Sequence, residues 1–133
     1  MSHSVSVVIP VYNSAETLGE LYKRISEVLS PICTDLEIIF VNDGSHDDSW
    51  EVIRKLKKAS PIVRGINLMR NYGQHNALLC GIRQASNDFI VTMDDDFQHP
   101  PEEIPLLLEK LDQGHDVVYG VPATMVHSSW RNY

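Results

Sequence analysis

Three consecutive aspartates, Asp94, Asp95 and Asp96, are the residues of this chain whose types and spacing most directly indicate chemistry. In an extended chain, residues two apart point to the same side, so we expect Asp94 and Asp96 to face one way and Asp95 the other. Two convergent carboxylates repel each other unless they share a proton or a cation lies between them. Because hard oxygen ligands favour Mg²⁺ or Mn²⁺, one interpretation is a divalent cation site. The alternative is a solvated acidic turn that precedes a helix.

Two other segments offer groups that suit a nucleobase. Asp43 lies in the turn NDGS after an apolar run, where its carboxylate could accept hydrogen bonds from a base edge. The alternative for Asp43 is an Asx-type turn within its own loop. Tyr12 follows Pro10 and could stack on or flank a base, or it could be a core aromatic residue under the sheet edge. Each signal is ambiguous alone, and their combination at one edge favours a binding site.

Five apolar runs of strand length must position these residues, at residues 4–11, 36–41, 62–68, 88–93 and 116–121. Such runs are typical of strands buried on both faces of a parallel sheet. The segments between them have helical periodicity, so the order is that of a doubly wound α/β fold in a single domain spanning residues 1–133. Ligands bind outside the carboxyl ends of the strands in such sheets, and all the candidate residues follow strands.

The helix signals are residues 15–29, residues 52–56, residues 77–85 and a segment that begins at Pro101. Asn13 with Glu16 three residues later resembles a capping box at the start of the first helix. Asp47 or Asp48 would cap the second helix.

Composition excludes several classes of protein. The net charge of −7 and the pI near 5.2 argue against a nucleic-acid partner, because no basic surface is available for phosphates. No apolar run approaches membrane-span length, and the N-terminus lacks a signal-peptide pattern. Cys33 and Cys80 lack metal-ligand spacing and are interpreted as buried thiols in a reducing compartment, which predicts a cytoplasmic protein. The final residues, SSWRNY, carry no stop signal, so we expect a truncated sequence.

Three nucleotide-binding or hydrolytic signatures are missing from the sequence. The chain has no G-x-G-x-x-G after its first strand, which argues against a dinucleotide-binding Rossmann site. It has no G-x-x-x-x-G-K-[ST], which argues against a P-loop nucleotidase. It has no G-x-S-x-G elbow, which argues against an α/β-hydrolase.

Four ordered motifs carry a resemblance to a known family: VVIPVYN, VNDGSHDDS, NYGQHNALLCGIRQASND and MDDDFQHPPEEIP. Over residues 5–121 the chain resembles the inverting family 2 glycosyltransferases, which have the GT-A fold. Within that family it is most similar to enzymes that use a polyprenyl phosphate acceptor, such as dolichyl-phosphate mannose synthases and undecaprenyl-phosphate glycosyltransferases. The segment RNYGQHNALLCGI and the pattern D-x-D-x-Q resemble in particular the bacterial 4-formamido-arabinose transferases.

The resemblance implies roles for matching positions. Four residues would line the nucleobase pocket: Pro10, Tyr12, Val41 and Asp43. Asp94 and Asp96 would be the catalytic pair that holds Mg²⁺ or Mn²⁺ on the donor diphosphate, with Gln98 completing the metal or phosphate contacts. Arg131 would match an arginine that binds the acceptor phosphate. No general base is assigned, because the acceptor phosphate is already anionic near neutral pH.

The implied function is transfer of a sugar, with inversion, from a UDP- or GDP-sugar to a polyprenyl phosphate at the cytoplasmic face of a membrane. The alternatives are a saccharide or cell-wall glycan acceptor and a non-catalytic nucleotide-sugar binding module. Related transferases commonly carry Glu at the position of Ser14. They also carry an arginine near the position of Gly120, where this chain has Val121 and Pro122. They also continue with an acceptor loop and membrane helices. We expect a chain without those parts to self-associate through exposed sheet edge or apolar surface.

Overall fold

The computed structural model describes residues 3–98 and 100–112, and within them a four-stranded parallel sheet carries helices on both faces. In chain order the elements are β1 (His3–Val11), α1 (Leu18–Leu29), β2 (Cys33–Asn42), α2 (Ser49–Ala59), β3 (Val63–Asn67), α3 (Gln74–Gln84), β4 (Phe89–Thr92), a 3₁₀ helix (Pro101–Glu103) and α4 (Ile104–Asp112). The strand order is β3-β2-β1-β4, and every pairing is parallel. The predicted α/β arrangement is therefore confirmed, while the strand predicted at residues 116–121 lies outside the described residues.

The two central strands are buried on both faces, as their apolar runs predict. In β1 every residue from Val5 to Val11 is buried. Because side chains alternate along a strand, Val7 and Ile9 pack in the core under α1, α2 and α4, whereas Val8 packs in a second core under α3. The sheet therefore holds helices on both sides and places all of its carboxyl ends along one edge.

The predicted capping box of α1 is wrong. The helix begins at Leu18, and its N-cap residue, Thr17, makes no side-chain capping hydrogen bond. Asn13 instead adopts a left-handed conformation (φ +53°), and its Oδ1 accepts a hydrogen bond of 2.8 Å from the backbone N–H of His46. The side chain that could have capped the helix is thus used to join two neighbouring loops, and the helix starts later.

At the start of α2 the two candidate caps have different roles. Asp48 is the N-cap residue by backbone position but makes no side-chain capping hydrogen bond. The Oδ1 atom of Asp47 accepts hydrogen bonds from the N–H of Ser49 at 2.9 Å and from its Oγ at 2.6 Å. The first turn of α2 is therefore capped by the side chain of Asp47.

One buried carboxylate, that of Glu37, joins three strands to the loop after α3. Its Oε2 accepts hydrogen bonds from the Oγ of Ser6 (2.6 Å) and from the N–H and Oγ of Ser86 (both 2.7 Å). Its Oε1 accepts a bond of 2.9 Å from Nη1 of Arg64, which also donates to the carbonyl of Gln84. Burial raises the pKa of Glu37, but these hydrogen bonds outweigh it and lower the pKa to about 2.

Among the described residues, no helix is both long and apolar enough to cross a membrane. Cys33 and Cys80 are free thiols, as expected, but they are half-buried rather than buried. Cys33 lies at the first position of β2, between the exposed residues Ile32 and Thr34, where the strand projects beyond the core. Burial nevertheless raises the pKa of the Cys33 thiol.

Candidate active site

The segments that follow all four strands meet at the carboxyl edge of the sheet, as the sequence predicts. They enclose a cavity of about 480 Å³. Its walls are formed by Pro10, Val11, Tyr12, Asp43, Asn71, Gln74, Asp94, Asp95, Asp96 and Gln98. Topology alone produces this convergence, because parallel strands end on the same side of a sheet.

The β1–α1 loop presents Tyr12 at the cavity wall. The Tyr12 side chain is 44% exposed, and its ring meets the His46 ring edge-on, with centroids 6.3 Å apart. The loop is fixed to the β2–α2 segment by the N–H of Asn13, which donates to Ser45 Oγ, and by the N–H of Ser14, which donates to Ser49 Oγ, each at 2.9 Å. Tyr12 is therefore an accessible aromatic surface on an anchored loop, not a core residue.

Asp43 is almost completely buried, at 3% exposure, yet it contributes to the cavity wall. Its Oδ1 accepts a hydrogen bond of 2.7 Å from the N–H of Tyr72, in the loop between β3 and α3. The carboxylate therefore bridges to a neighbouring loop, and this hydrogen bond is not part of the Asx-type turn considered from the sequence. Gly44 follows with φ +72°, and a Cβ there would lie 2.3 Å from the backbone nitrogen of Asn71. Only glycine allows the two loops to approach this closely.

The acidic triplet lies in a loop, because β4 ends at Thr92. The Oδ1 atom of Asp94 accepts a hydrogen bond of 2.5 Å from Nε2 of Gln74, at the start of α3. The Oδ1 atom of Asp96 accepts one of 3.1 Å from the N–H of Gln98 in its own loop. Asp94 thus contacts a neighbouring helix, whereas Asp96 stabilises the local turn.

Asp95 does not point away from the cavity, and that expectation is wrong. Its Oδ2 accepts a hydrogen bond of 3.1 Å from the N–H of Tyr12 and another from the hydroxyl of Ser14. All three aspartates of the triplet contribute to the same cavity wall. The alternation of an extended strand does not apply, because the strand has ended before the triplet begins.

The loop that carries the triplet is held against α1. Phe97 adopts a left-handed conformation (φ +62°), and the guanidinium of Arg24 lies 4.9 Å from the centre of its ring. Arg24 also donates to the carboxylate of Glu102, with Nε 3.0 Å from Oε2. Hydrogen bonding to Arg24 lowers the pKa of Glu102. These contacts fix the carboxyl side of the acidic loop to the helix that follows β1.

One predicted pocket residue, Val41, does not line the cavity. Val41 is fully buried and packs under α3, close to Gly81, so its side chain does not line the cavity. Strand alternation places it on the same face as Ile39, inside the second core. Arg131 lies outside the described residues. Pro10, Tyr12, Asp43 and the acidic residues all reach the cavity wall, and their proposed roles remain predictions.

Sequence reasoning gave no role to Asn71 and Gln74, both of which line the cavity. Asn71 lies in the segment after β3 and Gln74 at the start of α3. Their position just beyond the end of a strand is the feature of the sequence that could have predicted their place at the cavity. Both residues lie in the segment NYGQHNALLCGIRQASND, but their amide side chains carry no charge, so residue type and spacing alone did not select them.

The charge of the cavity decides which ligands it can hold. Among the described residues its wall contains four carboxylates, of Asp43, Asp94, Asp95 and Asp96, and no lysine, arginine or histidine. No group of three or more His, Cys, Asp or Glu side chains in residues 3–98 and 100–112 is arranged to hold a metal ion by itself. Mg²⁺ is commonly bound by one or two carboxylates together with substrate phosphates. The donor set therefore fits a cation shared with a bound diphosphate.

A parallel α/β sheet with an acidic loop and a base-sized cavity at its carboxyl edge is the arrangement of a GT-A glycosyltransferase domain. The family model "Glycosyl transferase family 2" matches residues 6–131, and the chain belongs to this family. It is similar to the mannosyltransferase PcManGT from Pyrobaculum calidifontis, solved in complex with GDP-Man and Mn²⁺. That similarity has a TM-score of 0.66 and 26% identity, covering 72% of this chain and 28% of the other.

Two relatives carry the same name, undecaprenyl-phosphate 4-deoxy-4-formamido-L-arabinose transferase. The protein from Pseudomonas savastanoi pv. phaseolicola is 44% identical over 131 residues, which is 97% of this chain and 39% of that relative. The protein from Enterobacter sp. (strain 638) is 48% identical over 118 residues, which is 87% of this chain and 36% of that relative. The chain thus spans well under half the length of these relatives.

Proposed function

We propose that this chain is the donor-binding part of a glycosyltransferase that moves a sugar from a nucleoside diphosphate to a polyprenyl phosphate, with inversion, at the cytoplasmic face of a membrane. The observation that carries the proposal is the cavity, which combines an exposed aromatic ring with four carboxylates. The names of the relatives support the lipid phosphate as acceptor, because both relatives are undecaprenyl-phosphate transferases.

The acidic wall by itself would repel a diphosphate, so the proposed donor requires a compensating cation. Asp94 and Asp96, with Gln98 beside them at the wall, are the residues that would hold Mg²⁺ or Mn²⁺. Such an ion, when bound, neutralises negative charge on the departing nucleoside diphosphate. The Mn²⁺ and GDP-Man in the Pyrobaculum mannosyltransferase complex support the same combination of ligands.

The remaining residues would bind and orient the donor. Tyr12 offers its ring face to a nucleobase, and Asp43, held in place by the Tyr72 N–H, offers a carboxylate to donors on the base edge. Asn71 and Gln74 contribute neutral hydrogen-bonding groups to the cavity wall. Binding energy at the base would thus position the sugar at the cation-bearing end.

The proposed step is an in-line displacement at the anomeric carbon. An oxygen of the acceptor phosphate forms the new bond while the bond from the anomeric carbon to the donor diphosphate breaks. The departing nucleoside diphosphate takes the electron pair, and configuration inverts. Since the attacking phosphate is already an anion, none of the described residues has to remove a proton.

Isothermal titration of the chain with UDP and with GDP, each with and without Mn²⁺, tests the donor site. We expect one of the two nucleotides to bind, and to bind at least about tenfold more tightly with Mn²⁺, because the ion offsets repulsion from the acidic wall. The single variants Asp94→Ala and Asp96→Ala should lose this Mn²⁺ enhancement. Asp35→Asn, at an exposed site near the amino end of β2, is the charge-matched control and should keep it.

Failure of both nucleotides to bind under either condition would reject the donor site. If nucleotide binding does not change with Mn²⁺, the proposed shared cation is rejected, while the proposed nucleobase pocket stands. Retained binding without sugar transfer by the full-length enzyme would instead favour a non-catalytic nucleotide-sugar binding module.

A further inference from the structure

Asp95 is the point where the acidic loop and the β1–α1 loop are joined. Its Oδ2 accepts hydrogen bonds from the N–H of Tyr12, at 3.1 Å, and from the hydroxyl of Ser14. Its own carbonyl oxygen accepts a further bond of 3.1 Å from Oγ1 of Thr17. The side chain and backbone of one residue thus contact three residues of the opposite loop, at positions 12, 14 and 17.

The loop held by Asp95 has a second anchor on its other side. The N–H groups of Asn13 and Ser14 donate to Ser45 and Ser49, which belong to the β2–α2 segment. Among the contacts of the described residues, loss of Asp95 would leave Tyr12 anchored through that neighbouring segment and through its own strand. Asp95 therefore ties the backbone at Tyr12 to the loop that carries the acidic pair.

The same contacts argue against Asp95 as a ligand of the cation. Its Oδ2 already accepts two hydrogen bonds, one of them from the backbone, and these direct the carboxylate toward the β1–α1 loop. Coordination of the ion through this oxygen would have to compete with those bonds. Asp94 and Asp96 instead accept hydrogen bonds from Gln74 and Gln98, and neither of these bonds involves the Tyr12 loop.

We propose that Asp95 is a positioning residue that fixes Tyr12 relative to Asp94 and Asp96, and thereby sets the affinity for the nucleobase without binding the cation. This inference rests on the proposed function, because it assigns Tyr12 to the base and the acidic pair to the diphosphate. It also explains the role of Ser14, whose hydroxyl completes the contact with Asp95.

Titration of UDP and GDP against three variants separates positioning from coordination. Asp95→Ala should weaken nucleotide binding about tenfold, because it removes hydrogen bonds to a charged acceptor. The Mn²⁺ enhancement should persist in Asp95→Ala, and it should equal that of Asp95→Asn, which removes the same charge from the acidic wall. Ser14→Ala should show the same pattern with a smaller loss, and Asp95→Asn, which keeps a carbonyl oxygen for the Tyr12 N–H, should recover part of it. Asp35→Asn is again the charge-matched control.

Hydrogen exchange at the Tyr12 amide tests its hydrogen bond to Asp95 directly, and the measurement needs no nucleotide. We expect Asp95→Ala to accelerate this exchange while amides at the centre of β1, such as Val7, keep their wild-type rates. A general loss of stability would instead accelerate both, so the comparison separates a local effect from unfolding.

Each alternative has its own signature. Loss of the Mn²⁺ enhancement in Asp95→Ala would make Asp95 a cation ligand and overturn the inference. Wild-type affinity in Asp95→Ala, or unchanged exchange at Tyr12, would also overturn it while leaving the donor site intact. If the wild-type chain binds neither nucleotide, the proposed function fails and the inference fails with it, even when the exchange result shows that the contact exists.

Discussion

Two sets of carboxylates in this domain differ in whether a cationic side chain lies beside them among the described residues. Glu37, toward the amino ends of the strands, meets a cation, two hydroxyls and a backbone N–H, all supplied by the fold. The triplet Asp94, Asp95 and Asp96 lies at the carboxyl edge, in a cavity whose described wall contains no cationic side chain. The difference shows which negative charges the fold compensates internally and which it presents to a ligand.

The compensated carboxylate is a structural element. Glu37, in β2, joins that strand to β1, to β3 and to the segment before β4, so its partners come from three different parts of the chain. The hydrogen bonds that lower its pKa also mean that the folded state favours its charged form. At the acidic edge, by contrast, like charges are gathered without a cationic side chain among the described wall residues, which is the pattern of a binding site.

The largest expected effect is on stability. Glu37→Ala should reduce the free energy of unfolding by about 3–5 kcal/mol, because it leaves the buried hydroxyl of Ser6 without its acceptor and removes the bonds from Arg64 and Ser86. Urea denaturation followed by tryptophan fluorescence measures the change. Glu51→Ala is the matched control, because its ion pair with Arg54 is more than half exposed on both sides and should contribute less than about 1 kcal/mol. Equal losses of unfolding free energy in the two variants would contradict the view that Glu37 stabilises the fold more than an ion pair on the surface does.

The second effect is a dependence of stability on pH. The pKa of Glu37 is lowered from its ordinary value of 4.5 to about 2 in the folded chain. Its contribution is therefore fully present above pH 4.5 and is lost as the pH falls from 4.5 through about 2. We expect wild type to lose about 3 kcal/mol more than Glu37→Gln across this interval. Parallel pH profiles for the two proteins, measured by urea denaturation, would contradict the assignment.

A smaller effect concerns the loops that build the acidic edge. Gly44→Ala should destabilise the chain by about 2–3 kcal/mol, because it adds a clash with the backbone of Asn71 to the strain of a positive φ. Gly19→Ala, in α1, is the control, because no atom lies within 4 Å of the added Cβ and its φ is not positive. We expect Gly19→Ala to leave the stability unchanged or slightly raised, since alanine favours a helix over glycine. The reverse order, measured by thermal denaturation, would mean that the two loops are not held together at Gly44.

The sequence predicted the sheet well because its signals are local. Apolar runs of β-branched residues identify β1 and β2, and parallel topology then brings the strand ends together. It failed where side chains act across loops. Asn13 looks like a helix cap in the sequence, yet its side chain accepts from the His46 N–H, a contact set by the meeting of two loops.

The same limit explains the errors at the site. Val41 lies two residues after Ile39, so strand alternation places both side chains on the same face of the sheet, in the second core. This spacing could have excluded Val41 from the pocket. Asp95 could not be placed by alternation, because the end of β4 at Thr92 depends on pairing with β1. The partners of Glu37 could not be predicted from the sequence either, because Arg64 lies beside Glu37 only as a result of the order of the strands in the sheet.

The central claim is that the acidic edge holds a divalent cation only together with a diphosphate. Electron paramagnetic resonance of free Mn²⁺, titrated with the chain in the presence and absence of UDP or GDP, tests it most directly. We predict negligible Mn²⁺ binding to the chain alone, and clear binding when the nucleotide is added, beyond that of the nucleotide itself. The double variant Asp94→Asn with Asp96→Asn should abolish the additional binding, and Asp35→Asn should preserve it. Equal Mn²⁺ binding with and without nucleotide, or none in either case, would contradict the claim.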